Sequence, residues 1–246
     1  MARLTEPTTQ YHLIVAGSPE DLARQAAEYI ASGIDLALAE RDRAQIALAG
    51  GETPRAAYSR LAGEHLPWER VDVLLGDERW VPADDPSSNA RMLRETLFAQ
   101  PPASRARFHP VPTDRPSPEA SAEAYAAQLA VLCPGRVPRF DVILLGLGDD
   151  GHTASLFPGT TAPGVVDRAV TIGEGKGLPR ITLTAPALSA ARLVIFLVSG
   201  AGKRQALARL LDPSEPAERT PARLVRPAAE VVILADAAAA ADLPPR

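Results

Sequence analysis

At 246 residues the chain is long enough for one large domain around a single core, and no linker-like break divides it, so one α/β domain over 1–246 is the expectation. Its 26 basic and 30 acidic residues leave a formal charge of -4 with both signs spread along the chain, which excludes the broad basic face that neutralises a nucleic-acid backbone. No apolar run approaches the roughly 20 residues of a membrane helix, and Met1 to Gln10 lacks a charged-then-apolar leader pattern, so the expectation is a cytoplasmic protein with neither membrane nor nucleic acid as partner.

The elements alternate along the chain. Short runs rich in β-branched residues predict strands at 12–15, 46–48, 71–75, 140–145, 169–172, 181–184, 193–198 and 231–234. Alanine-rich stretches with helical spacing predict helices at 20–39, 55–62, 90–98, 119–132 and 204–211, and the tail at 236–246 reads as a short terminal helix or frayed end. Several strands are apolar at every position, as expected when both faces of a sheet are covered. The pattern predicts a Rossmann-like three-layer sandwich with a mostly parallel sheet. The 24 prolines cluster at 82–86, 101–118 and 213–227, between elements. The single cysteine, Cys133, closes a predicted helix, excludes an internal disulfide and reads as a small buried hydrophobe.

Four polar clusters each follow a predicted strand: Ala49-Gly-Gly-Glu-Thr-Pro54, Gly76-Asp-Glu-Arg79, Gly146-Leu-Gly-Asp-Asp-Gly-His152 and Ser199-Gly-Ala-Gly-Lys203. In an open parallel sheet the carboxyl ends of the strands line one crevice, so the four signals converge on one pocket. In the first cluster Gly50 and Gly51 allow close backbone approach, with Thr53 as N-cap and Pro54 as first helical residue, so helix amides would face an anion. The same stretch also suits an ordinary strand-to-helix turn. Lys203 is one of only two lysines and can add a point charge. The other, Lys176 in Gly-Glu-Gly-Lys-Gly, reads as an ordinary loop residue.

Gly146, Gly148 and Gly151 match a dinucleotide fingerprint, but the helix that should follow is cut at Pro158-Gly159 after two turns, and Asp167 precedes a strand instead of ending one. Of the four histidines, His12, His65 and His109 look incidental. His152 stands beside two aspartates in a glycine-rich turn at the binding edge, where a carboxylate neighbour holds an imidazole near its working pKa. No His-x-x-x-His or cysteine pair suggests a metal, and no Gly-x-Ser-x-Gly elbow suggests a serine nucleophile.

The motifs Leu48-Ala-Gly-Gly-Glu-Thr-Pro54, Gly76-Asp-Glu-Arg-Trp-Val-Pro82, Ser88-Asn89, Gly146-Leu-Gly-Asp-Asp-Gly-His-Thr-Ala-Ser-Leu-Phe-Pro158 and Pro179-Arg-Ile-Thr-Leu-Thr184 together closely resemble the 6-phosphogluconolactonase family. The resemblance runs in order over nearly the whole chain. It implies hydrolysis of a sugar-phosphate lactone in the oxidative pentose phosphate pathway without cofactor or metal. It implies catalysis at His152 with help from Asp150, and substrate contacts at Gly50, Gly51, Thr53, Asp77, Arg79, Ser88, Asn89, Arg180 and Lys203. It assigns no oligomeric state, and it leaves the oxyanion donor open between Arg79 and backbone amides. Ala49 and Glu52 stand where many relatives carry serine, which removes a side-chain hydroxyl and leaves the backbone amides. Glucosamine-6-phosphate deaminases share the Gly-Gly-x-Thr-Pro and Asp-Gly-His turns but carry Phe-Asn-Glu-Pro after the histidine, where this chain has Ser155-Leu-Phe-Pro158 with no acid. A non-enzymatic sugar-phosphate sensor would need an effector domain that the chain has no room for.

Overall fold

In the computed structural model, which describes residues 10–229 and 231–243, strands and helices alternate much as the apolar spacing predicts. In chain order they are β1 (Tyr11–Ala16), α1 (Pro19–Glu40), β2 (Ala44–Leu48), α2 (Glu52–Leu61), β3 (Val71–Leu75), β4 (Asp77–Arg79), α3 (Asn89–Glu95), β5 (Arg107–Phe108), α4 (Pro118–Leu132), β6 (Val142–Gly146), β7 (Val170–Gly175), β8 (Leu178–Leu183), α5 (Ala185–Ser189), β9 (Leu193–Val198), α6 (Arg204–Leu211), β10 (Val231–Asp236) and α7 (Ala237–Ala240). The segment 1–9, read from the sequence as lacking a leader pattern, and the final residues 244–246 of the tail lie outside the described residues.

Seven strands pair in parallel in the order β1-β10-β9-β6-β2-β3-β5. Every residue of β3 and of β10 is buried, the burial expected of a parallel sheet covered on both faces. α1 begins where Ser18 caps the amide of Asp21 and Pro19 pre-sets the first turn. It buries Leu22, Ala26, Ile30, Ile34 and Ala37 at helical spacing, and small alanines let it lie close against the sheet.

The strands predicted at 169–172 and 181–184 are not part of that sheet. They form the antiparallel hairpin β7–β8, which β4 extends into a separate three-stranded sheet packed beside α4. The two residues between them are too few for a parallel crossover. β4 and β5, at three and two residues, are too short for periodicity to register and were not predicted.

Two buried carboxylates tie down the amino ends of the central strands, away from the glycine-rich turns. Asp72 pairs with Arg43 at 2.6 Å and with His109 at 2.8 Å, so His109 is a structural partner. Asp141 accepts the amide of Gln45 at 2.9 Å and pairs with Arg41 and Arg192. Cys133 is buried at the end of α4, and burial pushes its thiol up to about 12.

Candidate active site

After β2 the chain turns through Gly50 and Gly51 into α2. The helix begins at Glu52, with Gly51 at its N-cap and φ of +117°, so Thr53 is inside the first turn and is not the cap expected from the sequence. The reason is steric: glycine takes this backbone conformation freely, and the helix starts directly after it. Gly51 has no side chain to cap with, which leaves the first helical amides open toward the crevice.

After β3 a buried carboxylate organises the next cluster. Glu78 Oε1 accepts the amides of Arg79 and Asn89, each at 2.8 Å. Its Oε2 accepts the amide of Ala90 at 2.8 Å and the hydroxyl of Ser88 at 3.0 Å. Burial nevertheless pushes the Glu78 carboxyl up from its ordinary value. Asn89 donates to the carbonyl of Asp77 at 2.9 Å and accepts from the Arg79 guanidinium, which also donates to the carbonyl of Ser87 at 2.8 Å. A Cβ at Gly50 would sit 1.7 Å from Asn89 Oδ1, so only glycine lets the two turns meet.

After β6 comes the turn that carries His152. Asp150 Oδ1 accepts the amide of His152 at 3.0 Å and lies 2.5 Å from its Nδ1. A Cβ at Gly148 would fall 2.0 Å from that Nδ1, so the ring lies directly on the backbone. Burial draws the His152 pKa below its ordinary value, and the Asp150 carboxylate opposes the fall. For Asp150, burial works to raise the pKa, but the hydrogen bonds from His152 outweigh it and leave the carboxyl low.

The helix that a dinucleotide fingerprint would require after His152 is absent, in line with the break read at Pro158-Gly159. The chain turns back through a bridge between Thr153 and Leu156 and runs to a 3-10 turn at Ala162–Gly164. This brings Phe157 against His152, with ring centroids 4.2 Å apart, and Arg180 over the other side of the cluster, 5.4 Å from the Phe157 ring. Ser155 is fully buried and donates to Asp77 at 2.5 Å. Arg180 is buried beside the same carboxylate, 3.8 Å from Asp77 Oδ2. After β9, Lys203 reaches Asp149 at 3.1 Å.

These segments enclose a pocket of about 240 Å³. Gly50, Gly51, Thr53, Asp77, Arg79, Asn89, His152, Arg180 and Lys203 line it. Asp150 reaches the site through the His152 ring. Ser88 is placed elsewhere: it is buried, caps α3 and borders a larger cavity of about 900 Å³ on the far side of Glu78. Lys176, read from the sequence as an ordinary loop residue, lines the pocket with Asp149, Ala154 and Ser199. Its sequence signal was the scarcity of lysine itself. Among the described residues no three His, Cys, Asp or Glu side chains are grouped to hold a metal ion, and no helix is long and apolar enough to cross a membrane.

The family model for glucosamine-6-phosphate isomerases/6-phosphogluconolactonase matches residues 17–234, which span all four strand-end clusters. The chain belongs to this family. Among curated members it is 44% identical over 227 residues to the 6-phosphogluconolactonase of Synechocystis, covering 91% of this chain and 95% of the relative. It is 43% identical to that of Nostoc, covering 90% and 94%. Among solved members, the 6-phosphogluconolactonase of Trypanosoma brucei superposes with a TM-score of 0.86 at 33% identity, over 96% of this chain and all of that one. A monomeric glucosamine-6-phosphate deaminase superposes with a TM-score of 0.76 at 22% identity, so the family's fold is shared by both activities and the side chains must separate them.

Proposed function

We propose that the chain hydrolyses 6-phospho-D-glucono-1,5-lactone to 6-phosphogluconate, as a cytoplasmic enzyme of the oxidative pentose phosphate pathway. The observation that carries the reading is the His152–Asp150 pair at 2.5 Å in a pocket lined by four cationic side chains and an uncapped helix start. Asp150 accepts a hydrogen bond from Nδ1–H, which holds the proton there and leaves Nε2 as the basic nitrogen, and burial keeps the ring neutral near pH 7. A lactone is an activated ester whose opening needs one water deprotonated and one oxyanion stabilised. Nε2 of His152 removes a proton from water as the water oxygen bonds to the lactone carbonyl carbon. The tetrahedral adduct then collapses, the bond from that carbon to the ring oxygen breaks, and the imidazolium returns its proton to the departing ring oxygen.

The phosphate belongs at the open amides of α2, with Arg180, Lys203 and Arg79 around it. Helix N-termini and guanidinium groups both favour a dianion. Family resemblance places an acid after the histidine in deaminases. Here Phe157 stands where that motif carries its glutamate, with its ring packed against His152 at a centroid separation of 4.2 Å, which supports lactone hydrolysis over ring-opening deamination. The residues 1–246 work as one domain in this reading. The test is a coupled assay on freshly generated 6-phosphogluconolactone, corrected for spontaneous opening, with glucosamine 6-phosphate as the parallel substrate. Lactone turnover without deamination is expected, and deamination without lactone turnover would remove the proposal.

A further inference from the structure

The turn joining β7 to β8 breaks a local rule. Gly175 pairs with Leu178, so Lys176 and Gly177 are the two central loop residues, and both have positive φ, 55° and 76°. That is the signature of a type I′ turn, which favours asparagine or glycine at its first central position. A long L side chain stands there at a steric cost. Among the described residues only Ala154 and Lys176 are non-glycine residues with positive φ, and both line the pocket. Backbone strain confined to a site is a pointer to function.

The strained residue is also a cation aimed into the same neighbourhood as Lys203. Lys203 contacts Asp149 directly at 3.1 Å, and that hydrogen bond above all, helped by the charge of Lys203 and to a smaller extent by that of Lys176, holds the Asp149 carboxyl below its ordinary value. Lys176 acts on His152 as well, opposing its protonation. The hairpin is seated firmly. A Cβ at Gly175 would come 2.2 Å from the Phe157 ring, and the Gly175 carbonyl accepts from Arg180 at 3.3 Å. The tip therefore shares its footing with Phe157 and Arg180, both already part of the site.

We propose that Lys176 is a specificity-determining residue whose ammonium group joins Lys203 in holding the phosphate dianion of the substrate. This rests on the reading of Lys203 as a phosphate anchor. The exposed carboxylate of Asp149 pairs with Lys203 at 3.1 Å and lines the pocket together with Lys176. A phosphate dianion offers the same cations more charge and more acceptor oxygens, and it takes over that position. Asparagine at 176 would suit the turn better and would forfeit the charge, so the lysine is retained at a cost to the hairpin.

The test compares wild type, Lys176→Asn, Lys176→Arg and Lys203→Ala. Inorganic phosphate is titrated into each by calorimetry, thermal melting is recorded, and kinetics are measured on 6-phosphogluconolactone and on unphosphorylated gluconolactone. Lys176→Asn is expected to weaken phosphate binding about 5- to 10-fold, to raise KM for the phosphorylated lactone by a similar factor more than kcat changes, and to melt at or above wild type. Lys176→Arg is expected to recover most of the affinity. Phosphate affinity unchanged in folded Lys176→Asn would overturn the proposal, as would equal losses on both lactones. Wild type that binds phosphate without opening the lactone removes the lactonase reading, while the titration still decides the role of Lys176. Unaltered phosphate binding in Lys203→Ala removes the anchor, and the Lys176 titration again stands by itself.

Discussion

Nδ1 of His152 lies 2.5 Å from Oδ1 of Asp150, the oxygen that also accepts the backbone amide of His152 at 3.0 Å. One carboxylate oxygen thus fixes both the turn and the ring, and it selects the tautomer with the proton on Nδ1. Asp150 favours the protonated ring, and burial, the larger effect, disfavours it. The acid limb of kcat/KM should therefore have its midpoint below the ordinary histidine value of about 6.5. Asp150→Asn removes the opposing effect, so the limb should move to still lower pH while kcat falls by roughly 100-fold or more through loss of the tautomer. A pH profile of the variant shifted upward would contradict this.

Lys203→Ala should lose on the order of 10- to 100-fold in kcat/KM for the phosphorylated lactone, since removing a charged hydrogen-bond partner costs about 1.5 to 3 kcal/mol. Lys203 is only partly exposed and points at the pocket, unlike a solvated surface cation, whose truncation changes little. Kinetics on unphosphorylated gluconolactone supply the control, because that substrate has no phosphate to lose. Equal slowing of both lactones would place Lys203 at the carbonyl or in the fold.

Glu78 receives three backbone amides and one hydroxyl, and through Asn89 and Arg79 it shapes the pocket wall. Glu78→Gln turns an acceptor into a donor against those amides, at an expected cost of about 1 to 3 kcal/mol. Chemical denaturation should show that loss, and kinetics should show a raised KM as Asn89 shifts from Gly50. Unchanged stability would mean that the amides find other partners.

Arg43→Ala tests the opposite end of the sheet. Burial works to raise the pKa of Asp72, but hydrogen bonds from Arg43 and His109 outweigh it and leave it below its ordinary value. Such a carboxyl contributes stability that is fully present above the unfolded pKa of about 3.9 and is lost as pH falls through the folded value. Arg43→Ala should cost about 1 to 3 kcal/mol at pH 7, and the gap to wild type should close on acidification. A gap that widens toward low pH would contradict the assignment, and activity at pH 7 should change little.

The main sheet was legible because its strands are apolar on both faces and its helices are amphipathic, so periodicity alone marks them. β4 was not, since Asp77–Arg79 is three charged residues that become a strand only by pairing with β8. His152 stood out through its glycine-rich turn and adjacent acids. Glu78 carried no such mark, because its value lies in amides that only the folded chain brings to it. Thr53 was expected to cap α2, but the positive φ of Gly51 starts the helix one residue before it. Lys176 was passed over because a Gly-Lys-Gly loop looks like ordinary turn chemistry until the hairpin tip is seen over the pocket.

The central claim is that His152 is the base of a lactone hydrolysis. It is tested most directly by the rate at which purified wild type and His152→Ala open freshly generated 6-phosphogluconolactone above the spontaneous rate, with binding of 6-phosphogluconate to both confirmed. A general base contributes roughly 100- to 10,000-fold. The account predicts rapid opening by wild type and a loss of that size in kcat for the variant with product affinity nearly kept, and an undiminished kcat in His152→Ala would contradict it.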